Sequence, residues 1–552
     1  MSDWQGSTFE VRLGPPGHGG FCVARHEGRV VFVRHGLPAE LVRVRVTEDR
    51  GGSFCRADAI EIREASPDRV PATCPVSGPG GAGCCDFSFA TPKAQRALKA
   101  SVVAEQLRRL AGIERDVVVE PITGAGDVTS GWRTRIRLAV DASGRAGVHR
   151  YRSTEVIPDL RCPQPVSGAL DGVADRLWTP GADLVIAVDG DGVRHIVELA
   201  PADRGRPESR DRRGRDRRGR RATPDPRESS AEWDDTEGRS GTGRGDSSGA
   251  QSGRRSDGGT DASDGRNAFG DRRSGEDAAG AGPGGARGGR RRPGAIGGVR
   301  HGGDGRGNRR PESLRAEAGE RRDEVRYAAD GRLEGPQAQK RRSASARRAA
   351  THAARDEWVV AGSGRAVEYV SGRRWEVAAT GFWQAHHGAA QCYSDLVAEW
   401  SGLLPGGLAW DLYSGSGVFA ARLADQTGLT GAVFAVESAR PAVAAGKAAL
   451  RDLTWLEQHA QRVERWVADR IDAAAPDVVV LDPPRAGAGK EVIRALTTTA
   501  PTRIIHIGCD PASFARDLGL YQAAGYRLAD LRAFDAFPGT HHVECVALLD
   551  RP

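Results

Sequence analysis

Asp411-Leu412-Tyr413-Ser414-Gly415-Ser416-Gly417-Val418-Phe419 ends one apolar run and opens a helix-like one. Two glycines at a strand-to-helix turn let the backbone approach a ligand that side chains would hold off. Outward from this turn, apolar runs recur at Leu408–Tyr413, Ala432–Glu437, Asp477–Leu481, Arg503–Gly508 and Val543–Leu549, with helix-like stretches between the first four. The alternation predicts a doubly wound, Rossmann-like α/β sheet over residues 373–552. The last run follows Phe537-Pro538-Gly539-Thr540 and reads as an antiparallel strand. Glu437 lies 26 residues past Asp411 at the end of the next run. An acid there can accept hydrogen bonds from both hydroxyls of a ribose, so the pair of strand ends points to a nucleoside-containing cofactor.

Two further strand ends carry reactive groups. Asp482-Pro483-Pro484-Arg485 sets rigid prolines between an acid and a base, which holds a loop against the crevice where such sheets bind ligands. Ile507-Gly508-Cys509-Asp510-Pro511 places a thiol at the same carboxyl edge. Cysteines are most often core residues, but Gly before and Asp-Pro after favour an exposed loop.

The rest of the 552 residues divides by composition. Residues 1–66 hold short alternating runs, such as Leu41-Val42-Arg43-Val44-Arg45-Val46, and predict a small β-barrel. Such a barrel either binds single-stranded nucleic acid or serves as a domain contact. Residues 67–202, with a return over 351–372, form a central domain. In it, residues 92–112 predict a helix with Leu98, Val102, Val103, Leu107 and Leu110 on one face. Segment 131–140 reads as a strand with Arg133, Arg135 and Arg137 on one face, a candidate phosphate-contacting row or a solvated face. Residues 203–350 carry 30 Gly and only three aromatics, too little apolar surface to order the chain. This insertion reads either as a polyelectrolyte arm for RNA or as a tolerated mixed-charge segment.

Charge follows the same division. Residues 201–350 have a local net of +11, and everything outside them has a net of −4, so the overall +7 does not make the folded part basic. No run of about 18 apolar residues and no basic-then-apolar start is present, and the expectation is a cytoplasmic protein with no membrane contact, acting as a monomer. Nine cysteines, an odd number, argue against a disulfide framework.

Six pieces in order carry a resemblance: Gly381-Phe382-Trp383-Gln384, the Asp411–Gly417 turn, Val436-Glu437, Asp482-Pro483-Pro484-Arg485, Gly508-Cys509-Asp510-Pro511-Ala512 and Phe537-Pro538-Gly539-Thr540-His541-His542-Val543-Glu544. With them the chain resembles the S-adenosylmethionine-dependent RNA uracil-5-methyltransferases, and its barrel is similar to their TRAM module. The resemblance implies methylation of a uridine in tRNA or rRNA. Cys509 would be the nucleophile that adds to uracil carbon-6, and Glu544 the base that removes the carbon-5 proton. Gln384, Tyr413, Glu437 and Asp482 would hold the cofactor, and Arg485 would lie near the target nucleotide, flipped from any stack.

Two departures stand out. The family's nucleophile is usually followed by Asn-Pro, and here by Asp510-Pro511. Many members hold a [4Fe–4S] cluster on four cysteines. Here Cys74, Cys85 and Cys162 align, Ala82 occupies the fourth position, and Cys84 is the only substitute, so a cluster and ordinary core or redox cysteines both remain open. Two other readings differ in class. One is a methyltransferase acting on nitrogen, which needs no thiol and commonly has an aromatic where Arg485 stands. The other is an RNA-binding TRAM protein with a decayed catalytic half.

Overall fold

The computed structural model describes residues 3–122, 128–202 and 355–552. The insertion expected over 203–350 lies outside them.

Alternation in the N-terminal strands decides which face is buried. In strand Leu41–Asp49, Val42, Val44 and Val46 are buried while Arg43, Arg45 and Thr47 are exposed. Val42 and Val44 stand opposite Val11 and Phe9 of strand Thr8–Arg12, as a period of two requires. Six strands in the order Thr8–Arg12, Leu41–Asp49, Phe54–Glu64, Arg29–Arg34, Phe21–His26, Pro16–Gly17 wrap around that valine core. The pair Arg29–Arg34 and Phe54–Glu64 is parallel.

Helix Pro92–Gln106 begins at Thr91, whose hydroxyl accepts from the Ala94 amide at 3.3 Å, with Pro92 in the first turn. Leu98, Val102, Val103 and Leu107 are buried as expected, but Leu110 is 42% exposed. The last turn, Leu107–Ala111, widens into a π-helix, and the changed period turns residue 110 off the apolar face.

The central sheet runs Val156–Ile157, Ala146–His149, Arg135–Val140, Asp183–Val188, Arg194–Leu199, Glu357–Ala361, antiparallel throughout. Leu199 pairs with Glu357, so the chain leaves and re-enters the sheet at adjacent strands, where a long insertion leaves the ladder intact. The three arginines expected on one face, phosphate-contacting or solvated, do not form a row. Arg135 is buried, pairs with Glu368 at 2.9 Å, and donates to the carbonyls of Ala379 and Gly381 at 3.2 and 3.0 Å. Arg133 donates to the Arg135 carbonyl and to Gln164, and the strand starts only at Arg135. Arg137 alone is exposed, paired with Asp183. Arg135 holds the loop that carries Gln384, because a guanidinium can saturate several orphan carbonyls at once.

The C-terminal sheet has the order Leu456–Ala460, Ala432–Glu437, Leu408–Leu412, Val478–Leu481, Arg503–Gly508, Glu544–Asp550, Arg527–Asp535. The first five strands are parallel, and Glu544–Asp550 runs antiparallel to both of its neighbours. Val119–Pro121 from the central region adds an eighth strand and covers the edge. Helices Ala389–Ser401 and Val418–Thr427 pack on one face, and Val463–Ala468, Gly489–Thr498 and Pro511–Ala523 on the other. Val478–Leu481 is buried at every residue, as a parallel strand covered on both faces must be. Among the described residues no helix is long and apolar enough to cross a membrane.

Candidate active site

The strand order reverses between Leu408–Leu412 and Val478–Leu481, and ligands of such sheets bind beyond the carboxyl ends at that switch. Asp411, Tyr413, Glu437, Asp482, Cys509 and Glu544 all come from strand ends around it. Asp411 is fully buried; one carboxylate oxygen accepts from the Ala420 amide at 2.8 Å and the other has no hydrogen-bond partner. Tyr413 has φ of 64°, a left-handed conformation that costs a non-glycine residue roughly 1–2 kcal/mol. Gly417, at φ 81°, starts helix Val418–Thr427, and a Cβ there would meet Leu450 at 2.9 Å. Glu437 accepts from the Gly415 amide at 3.2 Å and the Ala439 amide at 2.6 Å, which aims it across the turn. Gln384 is half-buried in the loop anchored by Arg135 and by the Thr134 amide, which donates to Ala385.

Three acids share the floor. Burial pushes the Asp411 carboxyl up to about 8, with Asp482 and Glu437 adding to it. Burial also raises Asp482. Glu544 is raised well above the usual carboxylate range by burial and by Asp482, against the pull of Arg485. An enclosed acidic group of this kind fits a cationic ligand, which would return the carboxyls to their ionised form. S-adenosylmethionine, with a sulfonium and an ammonium, is such a ligand.

Cys509 is half-buried, and its thiol is pushed up to about 12 by burial and by Glu544 and Asp482, with Arg485 opposing. Gly508 pairs with Cys545, so the Cys509 loop and Glu544 sit side by side across neighbouring strands. Arg485 donates to His542 at 2.7 Å and its carbonyl accepts from Ser513 at 2.8 Å, tying the proline loop to both neighbours.

Several residues of the site were not singled out from the sequence. Lys99, fully buried in helix Pro92–Gln106, donates to Asp535 at 2.5 Å and to the Phe537 carbonyl at 3.1 Å. Gln95 accepts from the Gly539 amide at 2.7 Å. Together they hold the turn that leads to Glu544. The cleft beside Cys509 is lined by Lys99, Arg485, His541 and His542, and also by His18 of the barrel. A charged residue next to Leu98 on an otherwise apolar helix face was the available signal for Lys99; His18, between glycines, offered none.

The cysteines of the central region do not make a cluster site. Cys74 and Cys84 hydrogen-bond to Cys85, and Cys85 accepts from Gln164 at 3.3 Å. Cys85 is buried and Cys84 exposed, and Cys162 lies within electrostatic reach of Cys74 and Cys84. Ala82 supplies no donor. Among the described residues no group of three or more His, Cys, Asp or Glu is arranged to hold a metal ion, so Cys74, Cys84, Cys85 and Cys162 do not fit the four-thiolate array and no chemistry is routed through iron.

Residues 406–552 match the tRNA (uracil-5-)-methyltransferase family, and residues 4–59 the TRAM domain. A protein named uncharacterized RNA methyltransferase from Streptomyces avermitilis is 35% identical over 562 residues, covering 99% of this chain and 98% of its own. The chain belongs to the RNA uracil-5-methyltransferase family. A second such methyltransferase, from Streptomyces coelicolor, is 36% identical over 99% of this chain and 93% of its own. The fold is that of the Pyrococcus abyssi tRNA (uracil-54, C5)-methyltransferase in complex with S-adenosyl-L-homocysteine: TM-score 0.53 at 17% identity, over 98% of this chain and 100% of that one. As a uracil-5-methyltransferase, the protein is an enzyme that uses S-adenosylmethionine and acts on RNA.

Proposed function

We propose that this methyltransferase modifies carbon-5 of one uridine in tRNA or rRNA through a temporary bond between Cys509 and the pyrimidine, acting as a monomer in the cytoplasm. The observation that carries the reading is the placement of a loop thiol, Cys509, beside a buried carboxyl, Glu544, on adjacent strands at the carboxyl edge of the parallel sheet.

Bound S-adenosylmethionine supplies a methyl group on a cationic sulfur. Glu437 would hold the ribose hydroxyls, Tyr413 would flank the nucleoside from its strained turn, and Gln384 and Asp482 would meet the cationic end. Cys509 releases its proton to water and its sulfur bonds to uracil carbon-6, which moves an electron pair to carbon-5. Carbon-5 would then take the methyl group that the cofactor supplies, the electron pair of the broken bond leaving with the demethylated cofactor. Glu544 then takes the carbon-5 proton; that bonding pair restores the ring double bond as the sulfur–carbon-6 bond breaks. Arg485 stabilises both the thiolate and the pyrimidine oxygen next to it. Burial and Asp482 raise the proton affinity of Glu544, so its ionised form is a strong base.

The overall test is transfer of labelled methyl groups into unmodified tRNA and rRNA, with 5-methyluridine mapped in cells with and without the gene. One position that vanishes with the gene supports the reading; an unchanged map defeats it.

The acid floor adds a pH dependence. A cation favours ionised carboxylates, so binding releases protons wherever the free protein holds them. S-adenosylmethionine affinity should therefore strengthen as pH rises toward 8, where Asp411 titrates, by up to about tenfold per unit for each coupled carboxyl, and level off above. Calorimetry from pH 6 upward, in buffers of different ionisation enthalpy, measures both the affinity and the protons. A flat affinity without proton release would mean these acids do not face the cofactor.

A further inference from the structure

The barrel meets both loops that carry the reacting groups. Its hairpin Gly17–Gly20 reaches the cleft, where His18 Nε2 donates to Asp510 Oδ2 at 3.1 Å. Asp510 directly follows Cys509, and its other oxygen accepts from the amides of Ala512 and Ser513 at 3.1 and 2.9 Å, capping helix Pro511–Ala523. A second tie runs from Arg34 in the barrel to Asp86, whose Oδ2 accepts from His541 Nδ1 at 2.5 Å, two residues before Val543-Glu544. Gly20 leaves room for it: at φ +81°, a Cβ there would meet Asp86 at 3.2 Å and His541 Nδ1 at 3.3 Å.

Capping alone does not explain an aspartate at 510. One oxygen suffices for the cap, and asparagine caps as well as aspartate. The second oxygen brings a negative charge next to a thiol that must lose its proton. Burial works against that charge, but His18 and the helix amides outweigh it and hold the Asp510 carboxyl far below its usual range. The carboxylate is bonded by two side chains, the Ser513 hydroxyl at Oδ1 and His18 at Oδ2.

We propose that His18 is a positioning residue for the nucleophile: by pairing with Asp510 it fixes the Cys509 loop and turns the aspartate charge away from the sulfur, so that a barrel residue completes the catalytic pocket. The inference rests on Cys509 as nucleophile. With asparagine at position 510 no such partner would be needed, so the requirement for His18 is created by Asp510.

Full-length His18→Ala, His18→Gln, Asp510→Asn and the His18→Ala/Asp510→Asn pair are compared on RNA carrying 5-fluorouridine, with S-adenosylmethionine present, for the rate of denaturation-resistant adduct and for kcat and KM on ordinary RNA. His18→Ala should slow adduct formation and kcat about tenfold with KM for RNA little changed. His18→Gln, which keeps a donor for the carboxylate, should recover much of that loss. In the Asp510→Asn background, His18→Ala should have almost no further effect, since the group it serves is gone. An equal loss in both backgrounds, or a rise in KM with kcat unchanged, would make His18 an RNA contact and overturn the proposal. Normal adduct formation by His18→Ala would overturn it too, while leaving Cys509 as nucleophile; a wild-type protein that forms no adduct would instead remove the reading beneath it.

Discussion

Cys509→Ala is expected to lose methyl transfer by about four orders of magnitude or more, the scale seen when a covalent nucleophile is removed. Uracil carbon-5 carries too little electron density to take an alkyl group unaided, and no other thiol replaces the missing one: Cys545, the next in the chain, is fully buried beneath the adjacent strand. Binding should survive, because the acids and the Asp411–Gly417 turn are untouched. The measurements are turnover with labelled cofactor, calorimetry for S-adenosylmethionine, and a denaturing gel with 5-fluorouridine RNA. Intact binding with no turnover and no adduct is the expected set. Turnover within tenfold of wild type would mean that the reaction proceeds without the sulfur.

Glu544→Gln should produce a different failure. The amide has the size of the acid but cannot take a proton, so the reaction should run through bond formation and methyl transfer and then stop. A protein–RNA species carrying the labelled methyl group should accumulate on ordinary uridine, where the wild type shows none, with turnover lowered about 10³-fold. The block occurs after the methyl group has moved, so the label distinguishes it from the Cys509 variant. Release of product at the wild-type rate would assign the proton to another base. Asp482 and Glu544 face each other in the same enclosed floor, and Asp482→Asn is the control that weakens cofactor binding without trapping the adduct.

Most of the catalytic domain was legible in the sequence, and the exceptions share a cause. Strands Leu456–Ala460 and Arg527–Asp535 were not anticipated because each lies toward an edge of the sheet, half-exposed and mixed in polarity, whereas the central strands read as continuous apolar runs. Leu110 left its expected face because a π-turn interrupts the period. The arginine row was read as phosphate-contacting or solvated because alternation puts charges on one face; it does not say whether that face meets water or the carbonyls of another loop. The four cysteines matched a familiar set in number but not in spacing, with Ala82 where a ligand would stand.

Sequence by itself determined the alternating α/β order, the barrel's inward valines, the glycine turn and the chemistry-bearing strand ends. These follow from period and local backbone preference, which act over a few residues and are written in order along the chain. Only the tertiary structure decided what stands against what. Lys99 saturates the turn before Glu544, and Arg135 holds the loop of Gln384. His18 meets Asp510 across 492 positions of chain. Such pairings arise when separate modules pack and their buried charges must find partners, and nothing in the spacing of residues along a chain encodes which distant surface will supply them.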